Sequence, residues 1–265
     1  LAAAGVPLVH ELNMVGENLS EHVYSPVMFR VKPGVSWNRD LNSPIGQAKL
    51  GMRYLLKRDG PLSSVTITAQ AFAPRESGGK DAEVKVQIQQ VTSPGNRGAG
   101  KIELDKFDGA TIASFQIRPR SRGTSHITNS NPAADPAMFS RHFTHPEDID
   151  ACLHALKMSR KIASVGPMAK LVEEEVRPGP QASSDEALVE YLRATGATAY
   201  HPVGTCRIGT DPAQSVVDPQ LRVHGIQGLR VADGAVMPTI AATNTNAICI
   251  VIGERAADFI RQDNA

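Results

Sequence analysis

Residues 82–91, "AEVKVQIQQV", set Val84, Val86 and Ile88 against Glu83, Lys85 and Gln87. A period of two predicts a strand with one face toward a core. The β-branched stretch "SSVTITAQAFA" (63–73) predicts a strand before it. After it, "ATIASFQIRP" (110–119) and "GTSHITNSN" (123–131) predict two more, joined by the basic turn "RPRSRG". Strands that follow one another without helices between them favour an antiparallel sheet.

A helical period appears in four places. "SPIGQAKLGMRYLLKRDG" (43–60) carries Ile45, Leu50, Tyr54 and Leu55, with Gly60 and Pro61 to end it. "HPEDIDACLHALKMSRKIASV" (145–165) puts Ile149, Cys152, Leu153 and Leu156 on one face, with Pro146 suited to the first turn. "SSDEALVEYLRATG" (183–196) opens with Ser183 and Glu186 at capping-box spacing, and Gly196 can close it. "AICIVIGERAADFIRQ" (247–262) bears a wide apolar stripe of Ile248, Val251, Ile252, Ala256, Phe259 and Ile260, and predicts a well-buried helix. Before it, "QGLRVADGAVMP" (227–238) predicts a short strand ending at Asp233-Gly234. The N-terminal "LAAAGVPLVHEL" is expected to be the tail of a helix entered midway, then an extended run, so the chain is expected to be a piece of something longer.

Composition narrows the class. Of 265 residues, 41% are apolar and 21% charged, an ordinary globular balance, and the net charge of +1 gives no reason to expect nucleic acid as partner. The short basic clusters, "KLGMRYLLKR" and "RPRSRG", are expected to be solvated faces rather than a phosphate track. Apolar runs are too short for a transmembrane segment. Three cysteines, an odd count without CxxC spacing, argue against a disulfide framework or structural zinc and fit a reducing, cytoplasmic setting.

Candidate chemistry lies in the last quarter. In "YHPVGTCRIG" (200–209), Pro202 is expected to hold Tyr200–His201 extended, and Gly204 permits an unusual dihedral beside them. A rigid loop suits a general base, and equally a histidine that only closes a turn. A Cys206–His201 nucleophilic pair lacks a helix N-terminus behind the thiol, and a metal site on His201, Cys206 and His224 has no recognised spacing. Thr243, Asn244, Thr245 and Asn246 precede the last helix; one asparagine can cap it, leaving the other to present its amide.

Taken together, "YHPVGTCRIG", "VVDPQLRVHGIQGLRVADGAVMPTIAATNTNA" and "GERAADFI" resemble the C-terminal region of the glucose–methanol–choline oxidoreductases, FAD-dependent alcohol oxidases and dehydrogenases. "GVPLVHELNMVGENLSEHV" is similar to that family's "GIPVVHDLPGVGxNLQDH", and "RPRSRG" to its "RPxSRG", so the likeness runs from residue 1 to about 261. The resemblance implies FAD as cofactor and a mixed α+β and α/β fold. An antiparallel-sheet substrate domain (25–215) would pack on the C-terminal part of a Rossmann-like FAD domain (1–24 and 216–265).

It also implies residue roles. His201 would face the reactive edge of the flavin, and Asn244 would be the second catalytic residue. Asp233, Gly234 and Ala235 would run along the ribityl and diphosphate chain, Thr245 and Asn246 would offer N–H groups to the ring, and Tyr200 would pack beside it. His22 matches a family histidine expected to make a structural hydrogen bond. The expected substrate is a small primary alcohol, and homo-oligomerisation is left open. Neither a GxGxxG nor the family's "GSP…SGIGP" signature occurs, so the dinucleotide grip is expected from a missing N-terminal half. The competing expectation is an inactive fragment serving as a binding module.

Overall fold

The computed structural model describes residues 1–75, 79–94 and 103–263. In chain order its strands and helices are β1 (Val23–Val31), α1 (Asn38–Leu41), α2 (Pro44–Lys57), β2 (Ile67–Ala73), β3 (Val84–Gln89), β4 (Gly109–Gln116), β5 (Thr124–His126) and β6 (Ala137–Phe139). They continue with α3 (Pro146–Ser164), β7 (Val172–Arg177), α4 (Asp185–Thr195), β8 (Ala197–Thr198) and α5 (Asn246–Asp263).

Two compact units divide the chain: residues 1–23, 117–148 and 198–265 form one, and 24–116 with 149–197 the other. The sequence reading put 117–148 and 198–215 with the sheet, whereas here they cluster with the chain's two ends. Backbone hydrogen bonds explain why. Leu19 pairs with Gly123, Ser20 with Val203, and the N–H groups of Cys206 and Ile208 donate to the carbonyls of Ala235 and Val236.

The second unit is built on an antiparallel sheet of order β2-β3-β4-β1-β7, with the two-residue β8 beside β1. Central position decides burial. β4 is buried along all of its length, whereas β2, at the edge, is mostly exposed despite its β-branched composition. β3 was expected to be half-buried, yet both of its faces are buried from Val84 to Gln87. Lys85 consequently lies inside, its Nζ 4.4 Å from the centre of the Phe115 ring, and burial pushes its pKa below the usual lysine range.

Local signals hold for the helices. Ser43 caps α2 through Gly46 N–H. For α4 the cap is Ser184, which accepts from Ala187 N–H, one residue later than Ser183 suggested. The α2 stripe is only partly used: Leu50 is buried, while Ile45 and Leu55 are exposed. Both helices obey the local rule, but which face is covered is decided elsewhere.

In the first unit, Val216, Val217, Leu221, Val223, Val236 and Ala256 form one core cluster, and Val203, Met237 and Ile240 another. Ile252 of α5 packs against both. The stripe on α5 is therefore one-sided here, because Ile248, Val251 and Ile260 stay exposed. Residues 227–233 form no strand; a single bridge joins Arg222 to Arg230, and Gly234–Val236 is a 3₁₀ turn. β5 does not continue the large sheet either, since it pairs with β6 in a separate two-stranded ribbon.

Candidate active site

Segment 18–22, "NLSEH", organises the histidine loop of the first unit. Ser20 and Val203 exchange both backbone hydrogen bonds, at 2.9 and 3.0 Å, which lays His201 beside this segment. Asn18 clamps the far side: its Nδ2 donates to the Gly204 carbonyl at 3.2 Å, while its Oδ1 accepts from Arg122 Nε at 3.0 Å. Gly204 has φ +94°, as its place after His-Pro-Val suggested. Tyr200 differs from the expectation of extended geometry: its φ is +62°. Proline restricts only the residue directly before it, here His201, so Tyr200 was never constrained. Its N–H donates to Thr198 Oγ1 at 2.9 Å, and its side chain is exposed.

The buried His201 meets Asn244, His22 and Glu21. Its Nε2 is 3.1 Å from Nδ2 of Asn244, its Nδ1 is 3.1 Å from Nδ1 of His22, and its backbone N–H donates to Glu21 at 2.9 Å. The His22 and His201 rings stand edge to face, 5.2 Å between centres and 87° apart. His22 is fully buried, with Nε2 3.3 Å from the Ile117 carbonyl oxygen. Glu21 escaped the sequence reading; only its place beside the matched histidine in "SEH" marked it.

Burial raises the Glu21 pKa above 4.5, opposed by the Thr198 hydroxyl at 2.6 Å and by backbone N–H groups including that of His201. The folded state thus holds this proton in a pH window where the unfolded chain has lost it. Stability from Glu21 is complete below pH about 4.5 and declines as pH rises through the folded value. Thermal midpoints measured across that window should fall less steeply with pH in Glu21→Gln than in the parent. Parallel curves would show that Glu21 does not carry this slope.

Asp233 turns its carboxylate onto Ala235 N–H at 2.7 Å, and the Gly234 carbonyl accepts from Gly204 N–H at 3.3 Å. A Cβ on Gly234 would meet Val203 Cγ1 at 3.3 Å and Cys249 Sγ at 3.4 Å, so its smallness serves packing inside the chain. Thr245 is buried and its carbonyl accepts from Cys249 N–H in the first turn of α5, whereas Asn246 is exposed at that helix's start.

Cys206 gives no support to a thiol nucleophile. Burial, then the negative charge of Asp233, push its pKa above 9.0, the opposite of what a reactive thiolate needs. Among the described residues no three His, Cys, Asp or Glu side chains gather to hold a metal ion, and no helix is long and apolar enough to cross a membrane.

Residues 119–253 match the family model described as GMC oxidoreductase, a C-terminal domain. The chain belongs to the GMC oxidoreductase family. It is 36% identical over 261 residues to an alcohol dehydrogenase [acceptor] of Pseudomonas putida, covering 97% of this chain and 46% of that protein. An oxygen-dependent choline dehydrogenase 1 of Chromohalobacter salexigens is 33% identical over 257 residues, covering 97% and 45%. A formate oxidase of Aspergillus oryzae superimposes with a TM-score of 0.88 at 26% identity, covering 99% of this chain and 50% of that one. The chain spans about half the length of the relatives it matches. GMC oxidoreductases and these structural neighbours are FAD-dependent flavoproteins, and the antiparallel sheet with helices is their fold.

Proposed function

We propose that this chain carries the proton-handling site of an FAD-dependent alcohol oxidation. The observation behind this reading is the 3.1 Å approach of the His201 imidazole to the Asn244 carboxamide, brought together across 43 residues. An alcohol gives up hydride far more readily once its hydroxyl proton is removed. His201 Nε2 is placed to take that proton, and an imidazole titrates near neutrality when unperturbed. The Asn244 N–H would then turn from the imidazole to the substrate oxygen, holding it and stabilising its growing negative charge.

Bound FAD supplies the acceptor for the hydride that leaves the carbinol carbon. The donor set here suits such a group: α5 is 18 residues long and opens beside Asn244. Its first backbone N–H groups lack intrahelical partners, and its positive end favours an electron-rich ring. Thr245 and Asn246 would hold the ring edge, Tyr200 would cover it, and the 233–235 backbone would run along the rest of the cofactor. We assign the substrate to the primary alcohols, a narrower class than the alcohol dehydrogenase [acceptor] named for the Pseudomonas relative. The grip on the dinucleotide is assigned to a further half, on the same polypeptide or another. Cys152, Cys206 and Cys249 form no disulfide, which suits a reducing, cytoplasmic compartment.

The test is to load the whole protein with FAD and mix it, without oxygen, with a panel of alcohols, then admit oxygen or an artificial dye. Alcohol-dependent bleaching of the flavin is expected, with weak or no FAD binding by residues 1–265 alone. Bleaching by no alcohol would overturn the reading. Tight stoichiometric binding to residues 1–265 would remove the need for the second half.

A further inference from the structure

His22 bonds to the ring of His201, and the way it does so decides where the proton sits on the proposed base. We propose that His22 is a positioning residue that keeps the His201 proton on Nδ1 and so leaves Nε2 as the basic nitrogen. This inference rests on taking His201 as the base.

The Ile117 carbonyl has only one possible role. A carbonyl oxygen accepts, so His22 Nε2, 3.3 Å from the Ile117 oxygen, carries the ring proton. A neutral imidazole has one N–H, so His22 Nδ1 presents a lone pair. That lone pair faces His201 Nδ1 at 3.1 Å, and two lone pairs cannot share so short a gap. His201 Nδ1 is therefore the donor, and Nε2 is left unprotonated.

The opposite end of the chain demands the same answer independently. A carboxamide nitrogen only donates, and Asn244 Nδ2 lies 3.1 Å from His201 Nε2, which must then accept. From the Ile117 carbonyl through both rings to Asn244, every hydrogen bond runs in one consistent direction. The fully buried position of His22 shields the inner links from water, so no solvent molecule substitutes for a lost partner. Glu21, one residue away, holds the His201 main chain at 2.9 Å. Adjacent side chains thus fix both the backbone and the ring of the same residue.

Once the base has taken the substrate's proton, both of its nitrogens carry hydrogen. The Nδ1–H still points at the His22 lone pair, so the ring need not turn. Proton capture then changes the charge of the ring without changing its pose, which is what preorganisation requires.

The test is nitrogen-15 NMR of histidine-labelled whole protein, with resonances assigned by substitution at each position. His201 should show an N–H at Nδ1 and an unprotonated Nε2. His22→Phe should mix or reverse this tautomer and lower kcat roughly 10–100-fold with KM little changed. His22→Gln, which keeps one donor and one acceptor at that place, should restore the Nδ1–H form and recover turnover. A proton on Nε2 of His201 in the parent protein overturns the proposal, and so does a tautomer indifferent to His22→Phe. Should His22→Phe fail to fold, the parent spectrum and His22→Gln still decide. A correct tautomer combined with full turnover in His201→Ala would leave this placement standing and remove the base role instead.

Discussion

Replacing His201 by alanine should lower the rate of alcohol-dependent flavin reduction by about 10²–10⁴-fold, the usual range for losing a positioned general base. That corresponds to roughly 3–5 kcal/mol of transition-state stabilisation. The loss has two parts. The hydroxyl proton loses the acceptor placed for it, and Asn244 loses the ring that it meets at 3.1 Å. Anaerobic stopped-flow reduction is the right measurement, because it reads the chemical step apart from reoxidation. Some stability should go as well, since removing the ring also deprives the buried His22 of its partner at 3.1 Å. Leaving a buried polar group unpaired typically costs about 1–3 kcal/mol. Flavin reduction at the parent rate in a folded variant would rule His201 out as the base.

The second large effect belongs to the loop itself. Gly204→Ala should cost about 2–4 kcal/mol and lower the thermal midpoint by roughly 5–15 °C. Two independent reasons act at this position. Its φ of +94° is one that L side chains rarely adopt, and an added Cβ would lie 2.6 Å from the Asn18 carbonyl oxygen and 2.9 Å from Asn18 Nδ2. Asn18 has no room to yield. Its own φ is +63°, and its side chain is tied to Gly204, Pro238 and Arg122. The strain would pass to the Ser20–Val203 pairing that positions His201, so flavin reduction should slow in the same variant. A calorimetric midpoint and reduction rate matching the parent would show that the loop tolerates the change.

Elements whose identity depends on neighbours three or four residues away were legible in the chain. The periods of α3, α4 and α5 and the alternation of β3 depend on short spacings, and all four formed where expected. Errors began where a partner had to be chosen. The run before Asp233 looked like a strand because it is apolar, yet it found only an isolated bridge. β5 was a sound strand assigned to the wrong sheet. The exposed Ile45, Leu55, Ile248 and Val251 belong to apolar helical stripes and still lack cover in this chain, since periodicity cannot say what packs against a face.

The candidate site divides in the same way. By itself the sequence nominated His201 and Asn244 as the candidate pair, through motifs written in short contiguous runs. It marked His22 only for a structural hydrogen bond of unnamed partner, and gave no sign that Glu21 and His22 would hold the backbone and ring of a residue some 180 positions later. Only the tertiary structure decided that grip, and with it which nitrogen of His201 is left basic. The physical reason is that a tautomer depends on the hydrogen bond made by the other ring nitrogen. That bond is set by where two distant loops meet, which no local spacing encodes.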